Sequence, residues 1–494
     1  MAIQERSRAA HPDRWQQLLN PQRRKKEHEA RHGTSGSAGD DSRTEIERDH
    51  DRILFSTPVR RLADKTQVFP LEKNDSVRTR LTHSHEVSNL ARSFGTALAF
   101  RHKLASDVPD SQRNVPALLA AIGLVHDLGN PPFGHQGEAA IQSWFEDHRA
   151  AVLEDPSLTP QHVQDFTRFE GNAQGFRLVT RLQLLNDDFG LDLTYATLAG
   201  MLKYPVGSDG VGKGRAATKK HGFFAAEQDI AKRVLERTGL ALGVRHPLAY
   251  VMEACDDIAY VVLDAEDAVK KGLTSFSDLM AALRHDAAGD SAVDDVVERS
   301  CEKHRHYRET SDLSPAELND VSMQRFRVFA IGALVRAAIE AFVQRQAEIE
   351  RGELTTSLLE VSSGERLRKA LKAFGFKHAY RHRSVLKVEL SGHNVIHSLM
   401  DIFWDAIVNR ENPDNPASER AHPYSRFVYG RISENYRRVF EKPLGNSGTL
   451  PMRYRECLLL TDMISGMTDS FAVSLNEELQ ALRGGYCLRG LGTT

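Results

Sequence analysis

Cysteine is scarce in this chain: four in 494 residues, at Cys255, Cys301, Cys457 and Cys487. They lie far apart and form no CxxC pair, so reduced thiols in a cytoplasm are the expectation. A chain of this length buries roughly three quarters of its unfolded surface and needs no disulfide scaffold. A long apolar run is also missing. The longest lies near Val115–Val125, too short to span a bilayer, so no membrane association is expected. The opening MAIQERSRAAHPDRW has charges with no apolar core behind them, which disfavours a secretory leader. Nor is there an excess of one charge: 65 Lys and Arg against 67 Asp and Glu give −2. That balance excludes a protein coated in positive charge for wholesale nucleic-acid binding, while leaving room for a local basic site. No repeat recurs at a fixed period, which disfavours a solenoid.

What is present is ordinary globular material, 40% hydrophobic and 27% charged, most of it helical in pattern. Val87, Leu90, Ala91, Phe94, Ala97 and Leu98 recur three and four residues apart, the spacing of one helix face. The same pattern is found around Val115–His126, Glu138–Phe145, Ala226–Leu235, Leu248–Val269, Phe326–Val343, Leu367–Phe374, Val395–Ile407 and Tyr454–Leu482. Period-two alternation is rare, with Leu386–Leu390 and the stretch near Phe223 the best short strand candidates. The expected fold is mainly α with few short strands. Residues 1–50 are expected to be a mobile polar segment, because Gly33–Ser42 carries no apolar residue larger than Ala. Residues 51–290 should form a core and 291–494 a C-terminal helical lobe, with polar loops at Gly207–Gly222 and Asn409–Pro423.

The sharpest local signal is Leu124–His135, LVHDLGNPPFGH. An apolar helix delivers the adjacent pair His126 and Asp127 at its end, and the following Gly and Pro residues force a turn. An imidazole nitrogen and a carboxylate oxygen aimed at one point suit a divalent metal such as Mn²⁺, Fe²⁺ or, less ideally, Mg²⁺. A merely polar helix terminus is the plainer alternative. His83 stands at the head of another amphipathic helix. Asp256, Tyr260 and Asp264 are spaced by four within an apolar one, so they share a face. Carboxylates on such a helix are costly to bury unless paired or metal-bound, although an exposed acidic stripe fits the same pattern. His135 and Glu138, three apart after the Pro-Pro turn, can form an acid/base pair near His126; a surface histidine is the alternative.

The strings RRLADKTQVFPLE, RLTHSHEV, HDLGNPPFGHQGE, FEGNAQGFR, MLKYP, EACDDIAYVVLDAED and LTDMISGMTD follow one another from about Arg43 to Thr468. In this order they closely resemble the bacterial deoxyguanosine triphosphate triphosphohydrolases, a branch of the HD-domain metal phosphohydrolases. The resemblance implies an HD-type helical bundle and metal ligands at His83, His126, Asp127 and Asp256, holding Mg²⁺ or Mn²⁺, with Fe²⁺ or Co²⁺ as substitutes. It implies His135 as catalytic acid/base, oriented by Glu138. Gln67 would bond the sugar 3′-hydroxyl and Tyr260 would pack on the deoxyribose. Arg80, Asn172, Lys203, Tyr204, Lys220 and Asp264 would meet the triphosphate or sugar. The implied reaction splits dGTP, or other deoxynucleoside triphosphates, into deoxynucleoside and inorganic triphosphate. The implied assembly is a homohexamer, with single-stranded DNA or a nucleotide as an effector left open.

Two rivals stand beside this reading: an HD phosphodiesterase or monophosphatase, and a nucleic-acid-binding regulatory protein with a vestigial pocket. Gly207–Gly214 nearly fits a phosphate-binding P-loop, but Gly214 replaces the required hydroxyl residue and no buried strand precedes it. A flexible basic loop near the substrate is the better expectation. The cations between Arg426 and Arg438 suit either a nucleotide or single-stranded DNA contact or a solvated helix face.

Overall fold

Helix after helix follows the three- and four-residue spacing of apolar side chains. A computed structural model describes residues 12–32, 41–69, 71–72, 74–183, 188–442 and 449–490. These contain twenty-two α-helices and no β-sheet, only isolated bridges such as Thr66 to Thr79. The strand candidates are therefore corrected. Leu386–Leu390 lies within the Arg383–Val408 helix, and the chain near Phe223 bends into a short 3-10 turn, Ala225–Glu227. No helix among the described residues is long and apolar enough to cross a membrane.

The Arg80–Thr96 helix starts from a capping box of Thr79 with Thr82 and buries Val87, Ala91 and Phe94. That stripe packs on Val115, Leu118 and Ile122 of the Ser111–Val125 helix. Full burial of each such side chain contributes ~1.5–3 kcal/mol. The two backbones approach closely at Gly123, where a Cβ would stand 2.8 Å from Ser88 Cα. This close pairing brings the ends carrying His83 and His126 together. The Pro247–Lys270 helix crosses behind them, almost wholly buried. Its buried acids are partnered: Glu253 by Arg245 at 2.6 Å, and Glu266 and Asp267 by Arg78 at 2.7 and 2.5 Å. The Gly134–Asp147 helix packs against Arg383–Val408, so the C-terminal half reaches the same region. The main core runs from Trp15 to Leu479 without interruption.

Two further expectations change. The N-terminal stretch is not simply a mobile polar segment: Pro12–Leu18, Arg24–His32 and Glu45–Leu54 are helices, with Trp15, Leu18, Leu19 and Ile46 buried. Arg23 is buried and ion-paired with Glu45 and Asp49, each at 2.7 Å. Of the expected mobile Gly33–Ser42, residues 33–40 lie outside the described residues. The pattern at Tyr454–Leu482 is broken into two helices, Met452–Ser465 and Asp469–Gly490, at Gly466.

Candidate active site

His126 caps the C-terminal end of the Ser111–Val125 helix, and its Nδ1–H donates to Gly123 O at 2.7 Å. The proton is thereby held on Nδ1, leaving the Nε2 lone pair toward the cavity. Nε2 is buried with no hydrogen-bond partner. It lies 3.5 Å from Asp256 Oδ1 and 3.6 Å from Asp127 Oδ2. His83 Nε2 stands 3.2 Å from the same Asp256 oxygen. Donor atoms of His83, His126 and Asp256 all fall within 4.8 Å of one another. Asp127 stands at the margin of this group. Arg80 Nη1 donates to its Oδ2 at 2.5 Å and Asn130 Nδ2 to its Oδ1 at 2.6 Å.

Burial pushes both carboxyls up, but the opposing charges win. Arg80 and the two imidazoles hold Asp127 well below the usual carboxylate range, and His126, His83 and Lys203 do the same for Asp256. Against its own burial, His126 is raised to about 9 by Asp127 and Asp256, so a cation taken up at Nε2 would displace a proton held there near neutral pH. Ionised carboxylates beside an unpartnered imidazole nitrogen form a donor set that fits a divalent cation of intermediate hardness.

The turn after Asp127 ends on two left-handed residues, Phe133 at φ 61° and Gly134 at φ 59°. A Cβ at Gly134 would come within 2.8 Å of Arg80 Nη2, so a larger residue would be strained by its φ and would press on the guanidinium that holds Asp127. The next residue, His135, lies in the first turn of the Gly134–Asp147 helix with its side chain 77% exposed, and its Nδ1 lies 3.0 Å from Glu138 Oε2. Glu138 is buried, and its Oε1 accepts Gly171 N–H at 2.7 Å. The hydrogen bond to Glu138 raises the pKa of His135, while Glu138, despite burial, is held low by that imidazole.

These groups share one cavity of about 450 Å³, a size that suits a small-molecule ligand. Gln67, Arg80, Asn172, Lys203, Tyr204, Lys220 and Tyr260 line it, as do His126, Asp127, Asp256, His135 and Glu138. Asp264 does not. It is 2% exposed and accepts a hydrogen bond from the Tyr380 hydroxyl, whose ring is stacked 5.6 Å from Tyr260. His83 also stays behind the wall, reaching Asp256 from beneath. Lys203 is ion-paired with Glu253 and Asp256 at 3.6 and 3.7 Å, and Lys220 with Glu170 at 2.7 Å.

Several wall residues escaped the sequence reading: Lys219, Lys372, Tyr380, Gln136 and Glu389. Lys219 could have been found beside Lys220. Lys372, Tyr380 and Glu389 come from the C-terminal half, where no local motif marks them. The Gly207–Gly222 loop is partly pinned, Ser208 Oγ donating to Asp165 at 2.6 Å. A helix, Tyr195–Met201, precedes it instead of a strand, so it is no P-loop. None of the cations Arg426, Arg431, Arg437 and Arg438 lines the cavity.

A helix-borne histidine, an adjacent His-Asp pair and a distant aspartate define the HD class, and residues 80–157 match the HD domain family. Similarity extends far beyond that segment. The chain is 37% identical to a deoxyguanosinetriphosphate triphosphohydrolase-like protein of Listeria innocua serovar 6a, over 95% of this chain and 100% of that one. It is 34% identical to a like-named protein of Synechocystis, over 95% and 99%. A deoxyguanosinetriphosphate triphosphohydrolase of Salmonella paratyphi A is 33% identical, over 88% and 94%. The chain belongs to the deoxyguanosinetriphosphate triphosphohydrolase family of HD-domain proteins.

Proposed function

We propose that the protein hydrolyses dGTP, with other deoxynucleoside triphosphates as further candidates, to the deoxynucleoside and inorganic triphosphate. The observation that carries this reading is the shared cavity: the buried, unpartnered His126 Nε2 faces the same space as the His135–Glu138 pair. Five cations, Arg80, Lys203, Lys219, Lys220 and Lys372, line that space. The four negative charges of a nucleoside triphosphate call for such a set.

His83, His126, Asp127 and Asp256 would hold a divalent metal, Mg²⁺ or Mn²⁺ by preference. When bound it polarises the phosphoryl group and lowers the pKa of a coordinated water. The chain's own residues do the rest. Arg80 and the lysines draw the triphosphate down and neutralise it. Water attacks the α-phosphorus and gives up a proton to solvent as the new P–O bond forms and the bond to the 5′-oxygen breaks. His135, kept protonated by Glu138, gives its Nε2 proton to that leaving oxygen. Gln67, whose Oε1 is buried without a partner, accepts a hydrogen bond from the sugar 3′-hydroxyl. Tyr260 supports the deoxyribose, and Asp264 acts indirectly by fixing Tyr380 beside it. Chromatography of products from a panel of nucleoside triphosphates with Mg²⁺ or Mn²⁺ tests the reading. Intact triphosphate with deoxynucleoside supports it; pyrophosphate or orthophosphate assigns the site to another phosphohydrolase reaction.

A further inference from the structure

The motif Leu460–Asp469 (LTDMISGMTD) supplies no residue to the cavity wall, yet it ends on a buried carboxylate aimed at the turn that carries His135. Asp469 is the first residue of the Asp469–Gly490 helix and only 2% exposed. Its Oδ1 accepts Phe133 N–H at 2.9 Å, and its Oδ2 accepts Thr66 N–H at 3.0 Å together with the Thr66 hydroxyl. Lys65 Nζ holds the other end of the turn, donating to Asn130 O at 2.6 Å and to Ser465 O at 2.7 Å.

The turn needs this support. Phe133 carries a side chain yet sits at φ 61°, a conformation that L-residues keep only when their surroundings enforce it. Its ring is packed against Gly392, where a Cβ would approach within 2.6 Å, and its N–H is anchored by Asp469. The following residues begin the helix that presents His135. Ring packing and the carboxylate together set the direction of that helix start.

We infer that Asp469 is a positioning residue for the reaction. By holding Phe133 left-handed it aims His135 at the leaving oxygen, from a helix that touches neither substrate nor metal. This inference rests on His135 as the proton-transfer group. Misplacing a reacting group by about 1 Å costs ~10²-fold.

The test is a double-mutant cycle of Asp469→Ala and His135→Ala on the full chain, reading kcat, KM for dGTP and bound metal. Asp469→Ala should lose ~10- to 100-fold in kcat with metal content changed less than about twofold, while KM for dGTP rises as Thr66 and the neighbouring Gln67 lose their anchor. In the His135→Ala background the same change should alter kcat less than about twofold, because no imidazole remains to be aimed. Asp469→Asn keeps one acceptor for Phe133 N–H and should lose only about three- to tenfold. If the alanine variant does not fold, the asparagine variant carries the same cycle, and its loss must vanish in the His135→Ala background. Equal losses in both backgrounds, or an undiminished kcat in Asp469→Ala, overturn the inference and leave the role of His135 standing. An undiminished kcat in His135→Ala alone removes that role, and the inference with it.

Discussion

The proton on His126 Nδ1 is held by Gly123 O, and that one hydrogen bond decides which ring nitrogen faces Asp256. Replacing His126 or Asp256 by Ala should therefore abolish both bound metal and hydrolysis. Metal analysis of the purified variants checks this, and full metal content with full turnover in either would refute the ligand assignment. His135 touches Glu138 rather than this cluster. His135→Ala should keep metal and nucleotide affinity while kcat falls ~10²-fold or more; loss of the metal would make His135 a ligand instead. If Tyr260, which lines the cavity, packs on the deoxyribose as proposed, it fills the wall where a 2′-hydroxyl would project. Leaving such a hydroxyl unpaired costs ~1–3 kcal/mol, roughly 10- to 200-fold in selectivity. The wild type should thus hydrolyse dGTP far faster than GTP by kcat/KM. Tyr260→Ala should narrow the gap, while Gln67→Ala should weaken both nucleotides alike. Equal wild-type rates would refute the steric gate, and an unchanged ratio in Tyr260→Ala would place it elsewhere.

Among the elements, the Pro247–Lys270 helix shows how one cap links pH to stability. His246 Nδ1 accepts Leu248 N–H at 3.1 Å while its Nε2–H donates to Leu18 O at 3.1 Å, a pairing only the neutral ring can make. Burial lowers its pKa to about 4. Between pH 4 and the ordinary value near 6.5 the unfolded chain binds the extra proton. The contribution is therefore fully present above 6.5 and is lost as the pH falls toward 4, on the order of 3 kcal/mol. His246→Asn keeps a capping oxygen without the titration, so its melting temperature should fall less steeply over that window. Identical slopes in the two proteins would contradict the assignment. Element type was legible wherever the apolar spacing ran long, as from Val87 to Phe94. It failed at Leu386–Leu390, where five residues satisfy two periods at once. There Val385 is buried and Glu389 reaches the cavity, while Leu386 and Leu390 stay 50% and 64% exposed, a four-residue period that alternation concealed.

Across the whole molecule, the described N-terminal helix and the C-terminal half both close on the middle. Trp15 Nε1 donates to Glu350 at 2.8 Å, and Tyr454 of the C-terminal half donates to the buried Asp165, which also holds Ser208 of the Gly207–Gly222 loop. The N-terminal helix was legible in Trp15, Leu18 and Leu19, whose three- and four-residue spacing the polar stretch after them overshadowed. The His126–Asp127 doublet and the shared face of Asp256, Tyr260 and Asp264 were legible because adjacency and four-residue spacing are local properties, whereas the ligand set with His83 came from the family resemblance. Lys372, Tyr380 and Glu389 were not, since only packing of the Arg383–Val408 helix and its neighbours on the core brings them to the cavity. The central claim concerns which bond breaks in that cavity. Hydrolysis of dGTP in ¹⁸O-water, with both products analysed by mass spectrometry, tests it most directly. The label should appear in inorganic triphosphate beside unlabelled deoxyguanosine; label in the deoxyguanosine hydroxyl, or release of dGMP with pyrophosphate, would contradict it.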